Sequence, residues 1–189
     1  MQLCNRVTLL TGAARGIGRA IAFAFAAEGA RLAITARSEP ELRAQAAEIN
    51  AAGGEAIAFP ADLADRAALA RLVRDVEQAL GNVEILINNA ALVSAFNPKP
   101  VVDFDDDYWD RSLAVNLTAP YLLSKAVLPG MMRCRWGRII NVASIAGKIG
   151  SIHAAAYSAT KHGLLGLTRT LALEVAQDGI TVNALCPAP

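Results

Sequence analysis

Three residues of the sequence have types and spacing that suit acid–base chemistry: Ser144, Tyr157 and Lys161. Tyr157 and Lys161 are four residues apart, so on a helix they lie on one face, about one turn from each other. A positive charge beside a phenol favours the phenolate and lowers a pKa that is ordinarily about 10. Such a tyrosine can donate and accept protons near neutral pH. Ser144 follows an apolar stretch, and its hydroxyl can hydrogen-bond a substrate oxygen. No group in this trio carries a hydride, which predicts a cofactor site elsewhere in the chain.

Apolar runs and helical periodicity alternate along the chain and predict the elements that position this trio. We expect strands at Val7–Thr11, Arg31–Ala36, Glu55–Pro60, Val83–Ile87, Arg138–Val142 and Ile180–Leu185. We expect helices at Gly16–Glu28, Glu39–Ala52, Asp65–Leu80, Asp105–Val115, Leu117 to about Met132, and Ala154–Gln177. This alternation predicts an α/β fold, a doubly wound parallel sheet (Rossmann fold) with its ligand crevice at the carboxyl ends of the strands. The sequence predicts one domain over residues 1–189, with a loop at Asn97-Pro98-Lys99-Pro100.

The composition favours a buried sheet and argues against several classes of partner. The chain of 189 residues is 54% hydrophobic and 19% charged, which fits strands buried on both faces. A net charge of +1 offers no electrostatic basis for nucleic-acid binding, and no apolar run reaches the roughly 20 residues of a membrane span. Three scattered cysteines predict neither a disulfide framework nor a metal site, so we expect a reducing, cytoplasmic location. The aspartates from Asp103 to Asp107 suit a helix N-terminus better than a metal site.

The clearest cofactor signal is the segment from Thr11 to Gly18, TGAARGIG, between the first predicted strand and the first predicted helix. Gly12, Gly16 and Gly18 permit a tight turn and a close approach of backbone to a pyrophosphate, which sits at the positive end of the helix. Turns and caps also explain glycine clusters, so this interpretation depends on the strand–loop–helix context.

The end of the second predicted strand favours NADP(H) over NAD(H). An acid at this place binds the ribose 2′-hydroxyl of NAD, whereas here Ala36 is followed by Arg37. A guanidinium suits a 2′-phosphate, and Arg15 in the glycine loop is a second candidate for this contact. The alternative is that Arg37 is an ordinary solvated residue at the start of a helix.

Motifs spread over nearly the whole chain resemble the short-chain dehydrogenase/reductase family. The matching residues are TGAARGIG, Asp62-Leu63, Asn88-Asn89-Ala90, Asn116, Ser144, Tyr157-x-x-x-Lys161, Val182-Asn183 and Pro187. The resemblance implies hydride transfer between a nicotinamide cofactor and a small-molecule carbonyl or alcohol substrate, without a metal. The segment 156–187 resembles 3-oxoacyl reductases, aromatic polyketide ketoreductases and 3-hydroxybutyrate dehydrogenases. The helical segments 105–132 and 154–177 resemble the family's subunit interface, which implies a homodimer or homotetramer.

The same resemblance implies a role for each matching residue. In catalysis, Asn116 supports a proton-relaying water, Ser144 holds the substrate carbonyl oxygen, Tyr157 exchanges the proton, and Lys161 holds the nicotinamide ribose. The implied cofactor-binding set is Thr11, Gly12, Arg15, Gly16, Ile17, Gly18, Arg37, Asp62, Leu63, Asn88, Ala90, Val115, Tyr157, Lys161 and Pro187. Within this set, Asp62 contacts the adenine, Val115 lies along the cofactor, and Asn88 and Ala90 line the strand end under the ribose.

The sequence departs from the family pattern at two alanines and at its C-terminal side. Ala91 stands where the family mostly has glycine, and Ala188 stands where a glycine follows the proline. The family continues with a substrate lid and a seventh strand, which residues 1–189 do not include, so we expect a six-stranded sheet with the sixth strand at its edge. Two functions therefore stay open: an NADP(H)-dependent reductase or dehydrogenase, and a cofactor-binding or subunit-pairing module with little or no turnover.

Overall fold

The computed structural model describes residues 1–93 and 98–188. The strands are β1 (Val7–Thr11), β2 (Arg31–Thr35), β3 (Glu55–Ala58), β4 (Ile85–Asn88), β5 (Gly137–Val142) and β6 (Ile180–Leu185). The α-helices are α1 (Gly16–Ala27), α2 (Glu39–Ala51), α3 (Arg66–Leu80), α4 (Asp106–Leu113), α5 (Ala119–Cys134) and α6 (Ala155–Glu174). Asn97, the first residue of the predicted loop, lies outside the described residues.

The strands form a single parallel sheet in the order β3-β2-β1-β4-β5-β6, which confirms the predicted doubly wound architecture. Thr8 in β1 pairs with Leu32 of β2 on one side and with Ile85 of β4 on the other. The strand order reverses at this point, so the connections that leave β1 and β4 diverge to opposite faces of the sheet. A crevice therefore forms at the carboxyl ends of these two strands.

Helices cover both faces of the sheet, and each face has its own apolar core. Leu86 of β4 packs with residues of α3, α5 and α6, whereas its neighbours Ile85 and Ile87 pack with residues of α1 and α2 on the other face. Side chains alternate between faces along a strand, so a strand buried on both sides must be apolar throughout. This requirement explains the apolar run at residues 85–87 of β4.

The helix around Asn116 departs most from the sequence prediction, which placed two separate helices on either side of this residue. In the structure, α4 and α5 are joined without a break by a π turn at Ala114–Thr118. Such turns insert an extra residue into a helix and often occur at functional sites. The α5 helix also continues through Pro129 to Cys134. The proline cannot donate the hydrogen bond to the residue four places earlier, and the burial of Val127 and Met131 on either side stabilises the helix across it. β1 and β6 have the predicted bounds, and the bounds of the remaining elements differ from prediction by at most three residues.

Candidate active site

A cleft of about 460 Å³ at the carboxyl ends of the strands is lined by Ser144, Tyr157 and Lys161 together. Ser144 lies two residues after β5, while Tyr157 and Lys161 stand one turn apart on α6. Pro187, in the segment that follows β6, lines another side of the cleft. Its carbonyl accepts a hydrogen bond of 3.1 Å from the N–H of Ile145, which ties the two loops together.

The hydroxyl groups of Ser144 and Tyr157 are available to a ligand. The Oγ of Ser144 accepts a hydrogen bond of 3.1 Å from the N–H of Ala146, and this contact fixes the direction of the serine side chain. Neither hydroxyl donates a hydrogen bond to any other group in segments 1–93 and 98–188. A carbonyl or alcohol oxygen in the cleft could therefore meet two O–H donors at once.

Lys161 is a buried cation beneath this cleft. Its side chain is 2% exposed, and its Nζ donates a hydrogen bond of 2.6 Å to the carbonyl of Val142 at the end of β5. The Nζ lies 5.5 Å from the centre of the Tyr157 ring. Burial disfavours the charged ammonium and lowers the pKa of Lys161 to about 8, while the neighbouring Cys186 acts in the opposite direction.

Asn116 is held in the interior behind the cleft by hydrogen bonds to two other elements. Its Oδ1 accepts from the N–H of Leu92 at 2.7 Å, and its Nδ2 donates to the Leu92 carbonyl at 2.9 Å and to the Thr160 hydroxyl at 3.2 Å. Thr160 in turn donates to the carbonyl of Tyr157 at 2.8 Å. Since both N–H groups of the amide are engaged, the side chain of Asn116 fixes the loop after β4 and the first turns of α6. Its support of a proton-relaying water stays a prediction.

The three motif glycines of the loop after β1 are each required for a different physical reason. Gly12 has φ +67°, and a Cβ there would lie 2.7 Å from the Cα of Ala90. A Cβ on Gly18 would lie 2.1 Å from the carbonyl oxygen of Gly12, so only glycine lets α1 approach its own entry loop. Gly16 has φ +55° and faces open space, with nothing within 4 Å of the position that a Cβ would take.

The residues around this open space suit the pyrophosphate of a dinucleotide. It lies at the start of α1, whose N-cap residue Arg15 makes no side-chain capping bond, so backbone N–H groups of the first turn are available to an anion. The next residue, Ile17, is 52% exposed and lines the cleft. The glycine loop and the trio of Ser144, Tyr157 and Lys161 therefore border the same cleft.

Two further polar residues hold the glycine loop in shape. The Oγ1 of Thr11 accepts hydrogen bonds from the N–H groups of Asn89 at 3.0 Å and Ala90 at 3.1 Å. The Nδ2 of Asn89 donates to the carbonyls of Thr11 and Gly12, at 3.0 Å each. Thr11 is buried and supports the loop from below. Asn89, which the sequence-based cofactor set does not include, lines the cleft.

Asn88 and Val115 are buried side chains, away from the open part of the site. Asn88 is 3% exposed, and its Nδ2 donates a hydrogen bond of 2.8 Å to Asn141. The amide of Asn141 donates at 2.8 Å to Thr168 of α6, so this chain of bonds connects β4, β5 and α6. Val115 is 8% exposed within the π turn. Contacts from these two side chains to a cofactor stay predictions, and for Asn88 the side chain is already committed to the interior.

Asp62 and Arg37 lie at the carboxyl side of β2 and β3, at the other end of the crevice from the trio. The pKa of the Asp62 carboxyl is lowered by a hydrogen bond from the N–H of Ala64, then by the charges of Arg111 and Arg37, against the opposing effect of burial. Leu63 beside it is buried in the core and anchors the loop. Arg37 is exposed, and its guanidinium forms no ion pair within the described residues.

Neither a metal cluster nor a membrane-spanning helix is found in the part of the chain that the structure describes. Among the described residues, no group of three or more histidine, cysteine, aspartate or glutamate side chains is arranged to hold a metal ion. No helix within segments 1–93 and 98–188 combines the length and apolar character needed to cross a membrane.

Comparisons with known proteins place this geometry in a family. Residues 6–189 match the short chain dehydrogenase family. The chain is 43% identical over 183 residues to the granaticin polyketide synthase putative ketoacyl reductase 1 of Streptomyces violaceoruber, covering 96% of this chain and 66% of the relative. It is 40% identical over 187 residues to the 3-oxoacyl-[acyl-carrier-protein] reductase FabG of Pseudomonas aeruginosa, covering 99% and 74%. It is 38% identical over 185 residues to a D-beta-hydroxybutyrate dehydrogenase of Rhizobium meliloti, covering 97% and 70%.

A solved structure gives the same result. A metagenomic short-chain oxidoreductase, determined in complex with NADP, superposes with a TM-score of 0.95 at 41% identity, covering 100% of this chain and 85% of the other. By comparison, the chain spans 66% to 74% of the length of the three curated relatives described above. The match over residues 6–189 and the shared fold support one conclusion. This chain belongs to the short-chain dehydrogenase family of oxidoreductases.

Proposed function

We propose that this protein is an NADP(H)-dependent oxidoreductase that interconverts a carbonyl compound and a secondary alcohol. The supporting observation is the single cleft in which two free hydroxyls, a buried cation and an exposed residue of the glycine loop meet. The hydroxyls are those of Ser144 and Tyr157, the cation is Lys161, and the loop residue is Ile17. When bound, the nicotinamide supplies or accepts the hydride.

Each residue of the trio has a distinct task in this proposal. Ser144 donates its hydroxyl hydrogen in a hydrogen bond to the substrate oxygen and orients it. Tyr157 gives its proton to that oxygen during reduction, or takes it during oxidation. The Lys161 ammonium, 5.5 Å from the Tyr157 ring centre, stabilises the phenolate that forms in this exchange. Asn116 keeps α6 in register through Thr160, so that Tyr157 faces the substrate.

The walls of the cleft suit a ketone with apolar flanks, and we propose a 3-oxoacyl compound or similar ketone as the substrate. Val93, Ile145 and Ile149 line the cleft, and Ile149 is 58% exposed. Apolar side chains of this size favour burial of hydrocarbon. The names of two relatives, a ketoacyl reductase and a 3-oxoacyl-[acyl-carrier-protein] reductase, describe substrates of this class.

The preference for NADP(H) over NAD(H) rests on the absence of an acid and the presence of two arginines. Ala36 follows the end of β2, and Arg37 comes directly after it. Arg15 and Arg37 are exposed, and each can pair with a 2′-phosphate. The similar metagenomic oxidoreductase was determined with NADP, which is consistent with this choice.

We further propose a homodimer or homotetramer built on the helical face. Tyr121 of α5 is 45% exposed and Leu173 near the end of α6 is 82% exposed, so apolar surface is available on both helices. Mass measurement in solution tests this assignment. A cytoplasmic location stays a prediction from the cysteine pattern.

The proposed function is tested by titrating the purified chain with NADPH and then adding ketones. We expect quenching of tryptophan fluorescence or enhanced NADPH fluorescence on binding, followed by loss of NADPH absorbance with 3-oxoacyl thioesters or esters. Binding without oxidation for every ketone would favour the alternative of a cofactor-binding module. Absence of binding by a folded chain would refute the proposal.

A further inference from the structure

The Asp62 carboxylate is held by two partners from different parts of the chain. Its Oδ1 accepts a hydrogen bond of 3.0 Å from the N–H of Ala64, two residues on. Its Oδ2 accepts a hydrogen bond of 2.8 Å from the Nη2 of Arg111, on α4. One contact would leave the carboxylate free to turn about its last torsion, whereas two contacts on different oxygens fix its plane.

The carboxylate retains capacity for a third donor. Two carboxylate oxygens offer about four lone-pair positions, and the two bonds described above occupy two of them. The side chain of Asp62 is 43% exposed, as is that of Arg111. The remaining lone pairs are therefore open to a donor from solvent or a ligand, while the bond from Arg111 holds one of the two oxygens in place.

The ion pair bridges two elements that do not pack closely beside it. A cavity of about 230 Å³ separates the start of α3 from α4, and its walls include Leu63, Arg66, Asp110 and Leu113. Across this space, the contact between Arg111 and Asp62 is a direct polar link from α4 to the loop after β3. The same α4 helix runs on into the π turn that carries Asn116.

We propose that Arg111 is a positioning residue for recognition of the adenine ring. It holds the Asp62 carboxylate so that its free lone pairs accept the adenine 6-amino group. This inference rests on the proposed function, because it requires a bound dinucleotide. Exposed ion pairs contribute little to stability, so the use of this pair is orientation rather than folding.

The test compares two cofactors that differ at one group of the base. NADPH carries the 6-amino group, and nicotinamide hypoxanthine dinucleotide phosphate, in its reduced form, carries an oxo group instead. Dissociation constants are measured for both by fluorescence, with wild type, Asp62→Ala, Arg111→Gln and the double variant. Arg66→Gln is the matched control, since Arg66 is a cation on the rim of the same cavity with no ion pair to Asp62.

We expect the wild-type dissociation constant for NADPH to be about tenfold lower than that for the hypoxanthine cofactor, which is the ratio typical for a hydrogen bond to a charged group. Asp62→Ala should abolish the preference, Arg111→Gln should reduce it at least threefold, and the double variant should match Asp62→Ala. Arg66→Gln should leave the preference unchanged, and Arg111→Gln should leave the affinity for the hypoxanthine cofactor and the thermal unfolding midpoint near the wild-type values. These outcomes separate orientation of Asp62 from a general effect of charge.

Three results would overturn the role of Arg111. The first is that Arg111→Gln weakens the binding of both cofactors by the same factor. The second is that Arg66→Gln lowers the preference for NADPH as much as Arg111→Gln does. The third is a wild-type chain that binds both cofactors equally well, which would remove the adenine contact while leaving the proposed function intact. A folded chain that binds neither cofactor would refute the proposed function and this inference together.

Discussion

Replacing Lys161 by methionine removes a buried charge while keeping a long, unbranched side chain. In the folded chain without cofactor, burial lowers the pKa of Lys161 from the ordinary 10.5 to about 8. That difference corresponds to about 3 kcal/mol against the charged form, at about 1.4 kcal/mol for each pH unit. The Lys161→Met variant avoids this cost, and it loses the hydrogen bond to the Val142 carbonyl and the contact of the ammonium with the Tyr157 ring.

The sign of the pH effect follows from proton binding in the two states. Below about pH 8 both the folded and the unfolded chain carry the proton on Lys161, so the full cost of the buried charge is present. Between pH 8 and 10.5 the unfolded chain holds this proton and the folded chain releases it. The free energy of unfolding of wild type must therefore rise with pH across this window, relative to the variant.

The assay is urea unfolding of wild type and Lys161→Met at a series of pH values from about 7 to about 10.5. The advantage of the variant at pH 7 should shrink by up to about 3 kcal/mol at the alkaline end. Ionisable groups far from residue 161 are the same in both chains and cancel in the difference, and the phenol of Tyr157, whose ring centre lies 5.5 Å from the Lys161 Nζ, is removed from both chains by Tyr157→Phe. Both chains are also measured with Cys186→Ala, since the thiolate of Cys186 favours the charged lysine. A difference that is constant with pH, or that grows as pH rises, would refute a buried cation at this place.

Three further predictions concern Arg37 and the glycine loop. Arg37→Asp should weaken the binding of NADPH about tenfold or more, because the guanidinium is replaced by a group that repels a 2′-phosphate, while NADH should bind as well or better. An unchanged ratio of the two dissociation constants would show that Arg37 does not select the cofactor. Gly16→Ala should lower the free energy of unfolding by about 1–2 kcal/mol, because the position has a positive φ angle. It should also weaken the binding of NADPH, because the added methyl group enters the open space at the start of α1. Gly18→Ala should cost about 1–3 kcal/mol through overpacking, since its Cβ meets the Gly12 carbonyl oxygen at 2.1 Å. NADPH binding to Gly16→Ala as tight as to wild type would place the pyrophosphate elsewhere.

The order of elements and the helix that carries Tyr157 and Lys161 could be predicted from the sequence because both depend on local patterns. Strands buried on both faces need unbroken apolar runs, and such a run of three buried residues, 85–87 in β4, marks the centre of the sheet. Tyr157 and Lys161 share a helix, so their spacing alone predicts a common face. Both features can be read without knowing what packs against them.

Contacts between distant segments could not be predicted in the same way. The role of Asn89 depends on its reach to two carbonyls 77 and 78 residues earlier. The orientation of Asp62 depends on Arg111, 49 residues later, and no local pattern links them. The continuous helix at Asn116 was also missed, because a π turn has no distinct hydrophobic period and is stabilised here by the buried amide of Asn116.

Exchange of a proton by the phenol of Tyr157, in an NADP(H)-dependent reaction, is tested by the Tyr157→Phe variant. This variant removes one oxygen atom and keeps the ring beside Lys161. The decisive measurement is NADPH oxidation with a ketone that wild type reduces, alongside the dissociation constant for NADPH. We expect a loss of turnover of about 100-fold or more, the size of a general acid–base contribution, with NADPH affinity within a few-fold of wild type. Turnover by Tyr157→Phe at the wild-type rate would show that the proton is exchanged by another group.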